Sequence, residues 1–352
     1  MRRCFCFVFL LSICLVLPNA QAAEEGTDIL LSFTGDCTLG SEERTRWQPT
    51  SFDSYIEQHG YAYPFEKVQS VLAQDDVTVI NLENVFYPFK SNRAQKTYTF
   101  RGPPEFAQIL TEGSVELSYL GNNHTNDYGV PGFRSTVRTL EEGGHNWFAT
   151  TDHSVKTWIY EKNGVRVGFT GCYLTYYNRR QEDVKKGFEE LKAQGCDFIV
   201  AVMHGGQEYG PRQDKRMQRL ARFLVDQGAG LVVGHHPHVL HGVEVYNQAT
   251  ILYSLGNFSF GGNKELRVTQ TMIAQAKLRF DAQGTYAGHQ VNLIPAYPSG
   301  TMDYNNYQPV LAGGAEAQAI IDLVATMSTI PLSPYVEGVG AWQEPVLPAQ
   351  PD

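Results

Sequence analysis

The stretch QDKRMQRLARFLVDQGAGLVVGHHPH, residues 213–238, holds the plan of the chain in one unit. Residues 213–228 read as a helix closed by Gly228. LVVGHH (231–236) then reads as a buried strand that ends in a polar cluster. His241 follows shortly after, so four of the ten histidines fall within seven residues. Crowding imidazoles is costly, because protonated rings repel. Any one of them taken alone is an ordinary half-buried or surface side chain. As a group at the end of one apolar run, they point to a site.

The same unit recurs upstream. DILLSFTGD (28–36) is an apolar strand ending in a carboxylate. PFEKVQSVLAQDD (64–76) reads as an amphipathic helix, and VTVINLE (77–83) as a strand ending in a second carboxylate. PPEFAQILTEG (103–113) carries prolines in a first helical turn and a terminal glycine, and leads to VELSYLGNNH (115–124). PGFRSTVRTLEEGG (131–144) is a further helix. FEELKAQG (188–195) ends a helix before the strand CDFIVAVMH (196–204). Helices alternating with nearly continuous apolar runs predict an α/β protein with a largely parallel sheet. Hairpins are expected at Asn163-Gly164, near Asn247 and near Gly284. They add antiparallel strands, so the expected core is a two-sheet β-sandwich flanked by helices. EAQAIIDLVATM (316–327) predicts a last helix, and the proline-rich residues from about 331 an irregular tail.

The first residues stand apart from the fold. Arg2 and Arg3, an apolar core from Cys4 to Leu17 and the small-residue site at 20–22 read as a secretory signal over 1–22. The expected location is periplasmic or extracellular, with membrane tethering if the signal stays uncut. Loss of the signal leaves Cys37, Cys172 and Cys196. That odd number is no disulfide framework, and Cys172 with Cys196 is the pair to consider first. The formal net charge is −9 without basic runs, which argues against nucleic acid as a partner. An anionic substrate would need local positive charge, and metal ions can supply it.

In open α/β sheets, ligands bind beyond the carboxyl ends of the strands. Asp36, Glu83, Asn123, His124, His204, His236 and His238 should therefore meet at one edge. Oxygen and imidazole donors without thiolates suit zinc, manganese, iron or nickel. Two carboxylates, an amide and three histidines exceed what one ion usually takes from protein. Two ions would use them all, in the arrangement that clamps a phosphate or similar oxyanion. A histidine left out of that set can serve as acid to a leaving group.

Taken in order, GDCTLG (35–40), NLENV (81–85), FRGPPEF (100–106), GNNHTNDYG (121–129), MHGGQEY (203–209), GHHPHVLHGVEVY (234–246) and YSLGNFSF (253–260) resemble the CapA/PgsA family of capsule and poly-γ-glutamate synthesis proteins. That family lies within the calcineurin-like metallophosphoesterase superfamily. The resemblance covers roughly 28–298, leaving 299–352 as a C-terminal extension. It implies Asp36, Glu83 (as bridging carboxylate), Asn123, His204, His236 and His238 as ligands of two divalent ions: manganese, iron or zinc. It implies His124 as the substrate-facing acid, with Asp127 placed to orient it. His235 and His241 receive no role beyond support or structure. Two departures stand out: Thr38 occupies a usual histidine position, and Glu83 replaces aspartate.

Three further residues are candidates for substrate contact. Arg101 precedes a helix start. Glu208 is a partner of a histidine, a replacement ligand or a solvated loop acid. Asn257 is a substrate contact or part of a turn. Two function classes follow. One is a metal-dependent hydrolase of a phosphoester, or of a linkage in a cell-surface polymer. The other is a non-catalytic accessory protein that holds an anionic polymer for export or anchoring. Other capsule synthesis or export proteins are the expected partners.

Overall fold

The computed structural model describes residues 26–349, so the expected signal segment and Cys4, Cys6 and Cys14 lie outside the described residues. The strands form one large curled sheet of sixteen strands and a small sheet of three. Eight parallel strands make its middle, in the order Ala249–Leu252, Leu231–His235, Phe198–His204, Val165–Tyr173, Asn146–Thr150, Leu117–Tyr119, Val77–Leu82 and Thr27–Thr38. Thr271–Phe280 and Tyr286–Tyr297 continue it as an antiparallel pair.

Alternation along the strands explains the layers. Val200 and Val202 point to an inner core shared with Leu31, Val79, Val233, Ala276 and Leu293. Their neighbours Ile199 and Ala201 point outward, beneath Phe188 and Leu191 of the helix Gln181–Ala193 and Leu220 and Leu224 of the helix Lys215–Asp226. On the other half, Ile80 and Leu82 face an outer layer with Ile109, Leu110 and Leu140. The curl folds the sheet over on itself. The two expected sheets are thus the two halves of one curled sheet, and helices flank them.

Local chemistry sets the element ends. Asp214 caps Lys215–Asp226 by accepting from the backbone N–H groups of Arg216 and Met217, worth about 1 kcal/mol. Asn163 and Gly164 turn with positive φ (53° and 81°) between the antiparallel strands Trp158–Lys162 and Val165–Tyr173. The expected helix over 64–76 is shorter. Phe65, Val68 and Leu72 are buried, but mixed three- and four-residue bonds form turns, and only Gln69–Leu72 is helical. Over 103–113, a 3₁₀ turn (Pro104–Ala107) precedes the helix Gln108–Glu112.

Cys172 and Cys196 are both free thiols. Cys172 pairs in register with Met203, whereas Cys196 lies beside Gly168, four residues back along the same strand. At about 3.3 Å per residue, that offset is too long for a disulfide. The tail is more ordered than its composition predicts. Within it Ala341–Trp342 pairs with Tyr286–Tyr297, while before it the helix Gly314–Met327, close to the expected 316–327, adds Ile320, Ile321 and Val324 to the inner core.

Candidate metal centre

All eight middle strands run the same way, so their carboxyl ends share one edge. Asp36 lies near the end of Thr27–Thr38, Glu83 directly after Val77–Leu82, and Asn123 just past Leu117–Tyr119. His204 and His235 close their strands. Two glycines allow the close approach. A Cβ on Gly35 would meet the Gly256 carbonyl oxygen at 2.3 Å, and one on Gly234 the Tyr253 carbonyl oxygen at 2.2 Å. With glycine at 35, the Asp36 N–H donates to that Gly256 oxygen at 2.8 Å.

Asp36 is wholly buried and saturated. Its Oδ1 accepts from Asn81 Nδ2 (2.8 Å) and faces His235 Nδ1 (3.0 Å). Its Oδ2 accepts the His236 backbone N–H (3.2 Å) and faces His238 Nδ1 (3.0 Å). Burial alone would raise its pKa, but the bonds from His235 and His238 hold it well below the usual carboxylate range. Glu83 is the opposite case. It too is wholly buried, yet neither carboxylate oxygen has a hydrogen-bond partner among the described residues. Burial, reinforced by the Asp36 charge, pushes its pKa well above the usual range.

His204 is the hub of the cluster. Its Nε2 lies 2.8 Å from Asn123 Oδ1, 3.0 Å from His236 Nδ1 and 3.6 Å from Glu83 Oε1. Its Nδ1 faces Asn81 Nδ2 at 3.3 Å. Ligand atoms about 2.0–2.2 Å from one ion necessarily lie this close to one another. Burial depresses both rings, with His236 pushed down to about 4, so they keep lone pairs for a cation. His238 goes the other way. Burial opposes its charge, but the bond to Asp36 and the Glu83 charge raise it to about 9. Asp36, Glu83 and His204 form one group able to hold an ion, and Glu83, His236 and His238 another. His236 and His238 have φ of 96° and 60°. Such backbone costs on the order of 1–3 kcal/mol per residue and collects at functional sites.

His124 stands beside this set. Its Nδ1 is 2.7 Å from Asp127 Oδ2, its Nε2 is 3.8 Å from Glu83 Oε1, and its ring packs tilted against Phe100 with centroids 4.4 Å apart. Asp127 also accepts the Phe100 N–H (2.5 Å), and Lys96 Nζ pairs with its other oxygen. The structure therefore gathers Asp36, Glu83, Asn123, His124, His204, His236 and His238 at the strand-end edge, with Asp127 behind His124.

The other candidates divide. Asn257 faces His238 Nδ1 through its Oδ1 (2.8 Å), and Glu208 Oε1 lies 4.0 Å from His236 Nε2 on an exposed side chain. Arg101 is not brought to the cluster. Along Phe100–Gly102, Phe100 faces His124 and Arg101 turns the other way, donating to Glu43 and the Tyr87 carbonyl. There it lines a separate cavity of about 730 Å³ with Arg46 and Trp47. Thr38 is buried and donates to the Glu83 carbonyl at 3.3 Å. Asn81, Asn122 and Lys96 were not among the expected site residues. Asn122 Nδ2 donates to Asn81 Oδ1 (3.0 Å), which fixes the amide that in turn donates to Asp36. The signal for Asn81 is a polar residue two places before Glu83, on the same face of an otherwise apolar strand.

Fold and site together define an α/β protein with a candidate metal centre at its strand ends. The chain belongs to the bacterial capsule synthesis protein PGA_cap family, whose model matches residues 30–262. It is 29% identical over 259 residues to the capsule biosynthesis protein CapA of Bacillus anthracis, covering 67% of this chain and 61% of that one. It is 28% identical over 289 residues to the PGA biosynthesis protein CapA of Bacillus subtilis (strain 168), covering 76% and 72%. The chain thus spans less than two thirds of the Bacillus anthracis relative. Among solved structures, a putative 5'-nucleotidase from Staphylococcus aureus aligns with a TM-score of 0.46 at 12% identity, over 87% of this chain and 61% of that one.

Proposed function

We propose that the chain is an exported, metal-dependent hydrolase of the capsule synthesis family, acting on a phosphoester or on a linkage in an anionic cell-surface polymer. One observation carries the reading. Glu83 is a buried carboxylate with both oxygens unpartnered, facing His204 and His124 at 3.6 and 3.8 Å. Burial favours the neutral form of this carboxyl, its charged form being strongly destabilised when uncompensated, and a cation is the natural compensation. Glu83, Asn123, His204 and His236 would hold one ion firmly. Asp36, Glu83 and His238 would hold a second more weakly, because Thr38 offers only a committed hydroxyl. When bound, the ions (manganese, iron or zinc) supply Lewis acidity at a phosphoryl or carbonyl oxygen.

The remaining work belongs to the chain's own groups. Asp127 holds the His124 Nδ1–H, so Nε2 is the atom that gives or takes a proton at the cluster. Phe100 packs against the ring and limits water around it. The test is hydrolysis of bis(p-nitrophenyl) phosphate by the purified chain with each metal added in turn. Metal-stimulated turnover that His124→Ala abolishes is the expected result. Stoichiometric metal without turnover of this phosphodiester or of a glutamate polymer would refute the hydrolase and favour the second reading, an accessory protein that holds the polymer. The committed Thr38 hydroxyl, which leaves the second position short of a ligand, favours that second reading.

A further inference from the structure

Two cavities border the candidate metal centre, one through His124 and His238 and the other through Asn123. The first, about 210 Å³, is lined by His124, His238, Glu208, Tyr209, Lys264 and Arg267 among others. The second, about 100 Å³, is lined by Asn122, Asn123, Asn126, Tyr173, Tyr176 and Arg179 among others. They have no lining residue in common, and the consecutive residues Asn123 and His124 go one to each. Space for a ligand therefore lies on both sides of the Asn123–His124 pair. A small ester, or the terminal group of a chain, needs only one.

Both outer rims carry exposed cations. Lys264 and Arg267 lie on the loop that follows Asn257–Phe260, and neither has a carboxylate within ion-pair distance among the described residues. Arg267 rests over the Tyr209 ring at 5.4 Å, and Tyr209 neighbours His238 at 5.8 Å. On the far side, Arg179 has only a loose partner, Asp152 at 3.8 Å, with both side chains largely exposed. Tyr173 lines that cavity and packs beside the cluster, its ring 5.7 Å from that of His204.

We propose that an extended polyanion crosses the cluster, with Lys264 and Arg267 binding its charged groups on one side of the reacting linkage and Arg179 on the other. This deepens the proposed function and rests on its placement of the ligand at the cluster. Glu208, Glu265 and Asp152 share the rims and leave them near neutral. Attraction is therefore local to each cation. Affinity must build from repeated short contacts along a chain, which is the effect of multivalency. The chain is cut or held internally, not from its end.

The test is fluorescence anisotropy on the full chain with manganese, using labelled glutamate oligomers and polyphosphates of increasing length. Affinity should rise with length and then level off once both cavities are spanned. Arg179→Ala and the pair Lys264→Ala/Arg267→Ala should each weaken the long oligomers on the order of 10-fold, the scale of one charge-assisted contact. The shortest should be little affected. Orthophosphate should compete with every oligomer in wild type and variants alike, which reports an intact cluster. Length dependence with polyphosphate in place of glutamate also supports the crossing, and assigns phosphate as the repeating charge. Affinity independent of length, loss confined to one side, or failure of orthophosphate to compete would overturn it. Tight, length-dependent binding without turnover would sink the hydrolase and leave the crossing intact.

Discussion

Replacing Glu83 with glutamine should invert the order of stability between wild type and variant when metal is added. Without metal, Glu83 presents two buried oxygens with no partner, near the Asp36 charge. Leaving a buried polar group unsatisfied costs about 1–3 kcal/mol, and more for a charge. Glutamine keeps the volume and cannot ionise, so it avoids the cost of charging a buried group whose pKa is raised; at a pH where wild type is ionised, the metal-free variant should be more stable by about 1–3 kcal/mol. For a chain of this size that is roughly 2–4 °C in Tm per kcal/mol, or somewhat less. With metal at about 100 times its Kd, wild type gains about 2.7 kcal/mol. The variant has lost the carboxylate common to both ligand groups and gains little. Differential scanning calorimetry with chelator, then with manganese or zinc, reads both effects. If Glu83→Gln lowers the metal-free Tm, or if metal raises both proteins equally, the cation account of Glu83 is wrong.

Other expectations follow from the same geometry. His124→Ala should keep its metal and lose turnover by about 10²–10⁴-fold, whereas His236→Ala should lose metal. Elemental analysis beside kinetics separates the two roles, and equal metal loss in both would refute the division. Thr38→His should raise metal content towards a second ion, since ligand number sets affinity. It should also lower Tm, because Thr38 is fully buried and overpacking costs about 1–3 kcal/mol. A stability effect is expected away from the site at Asp75, whose pKa burial raises to about 7, with the Glu116 and Asp76 charges adding to it. A folded pKa above the unfolded value, about 3.9, means stability falls as pH rises from about 4 through about 7. Asp75→Asn can still accept from Thr78 and should flatten that fall. Identical Tm profiles between pH 4 and 8 would contradict it.

Sequence pattern revealed the fold through its strand ends. Each apolar run carries its polar residue where the strand stops, so one rule about parallel sheets places Asp36, Glu83, Asn123 and His204 together. What escaped the pattern depends on tertiary register. Arg101 sits one residue from Phe100, and strand alternation sends neighbours to opposite faces, so its charge says nothing about which cavity it enters. Lys96 reaches His124 and Asp127 from a loop with no local periodicity. His235 looks redundant in GHHPH, yet as the last strand residue its ring meets Asp36 while His236 turns to His204. The segment 64–76 has a helical spacing of buried residues, but turns satisfy the same spacing. Cys172 and Cys196 are close in sequence terms and separated by strand length.

The central claim is that this strand-end cluster holds a metal. Elemental analysis of the purified full chain, after equilibration with manganese, iron and zinc and removal of loosely bound ions, tests it most directly. The account predicts about one tightly held equivalent per chain, the set of Glu83, Asn123, His204 and His236 being a sufficient ligand count for one ion. It predicts loss of that ion in Glu83→Gln. A chain that retains no metal from any of the three, or retains the same amount in the variant, would contradict it.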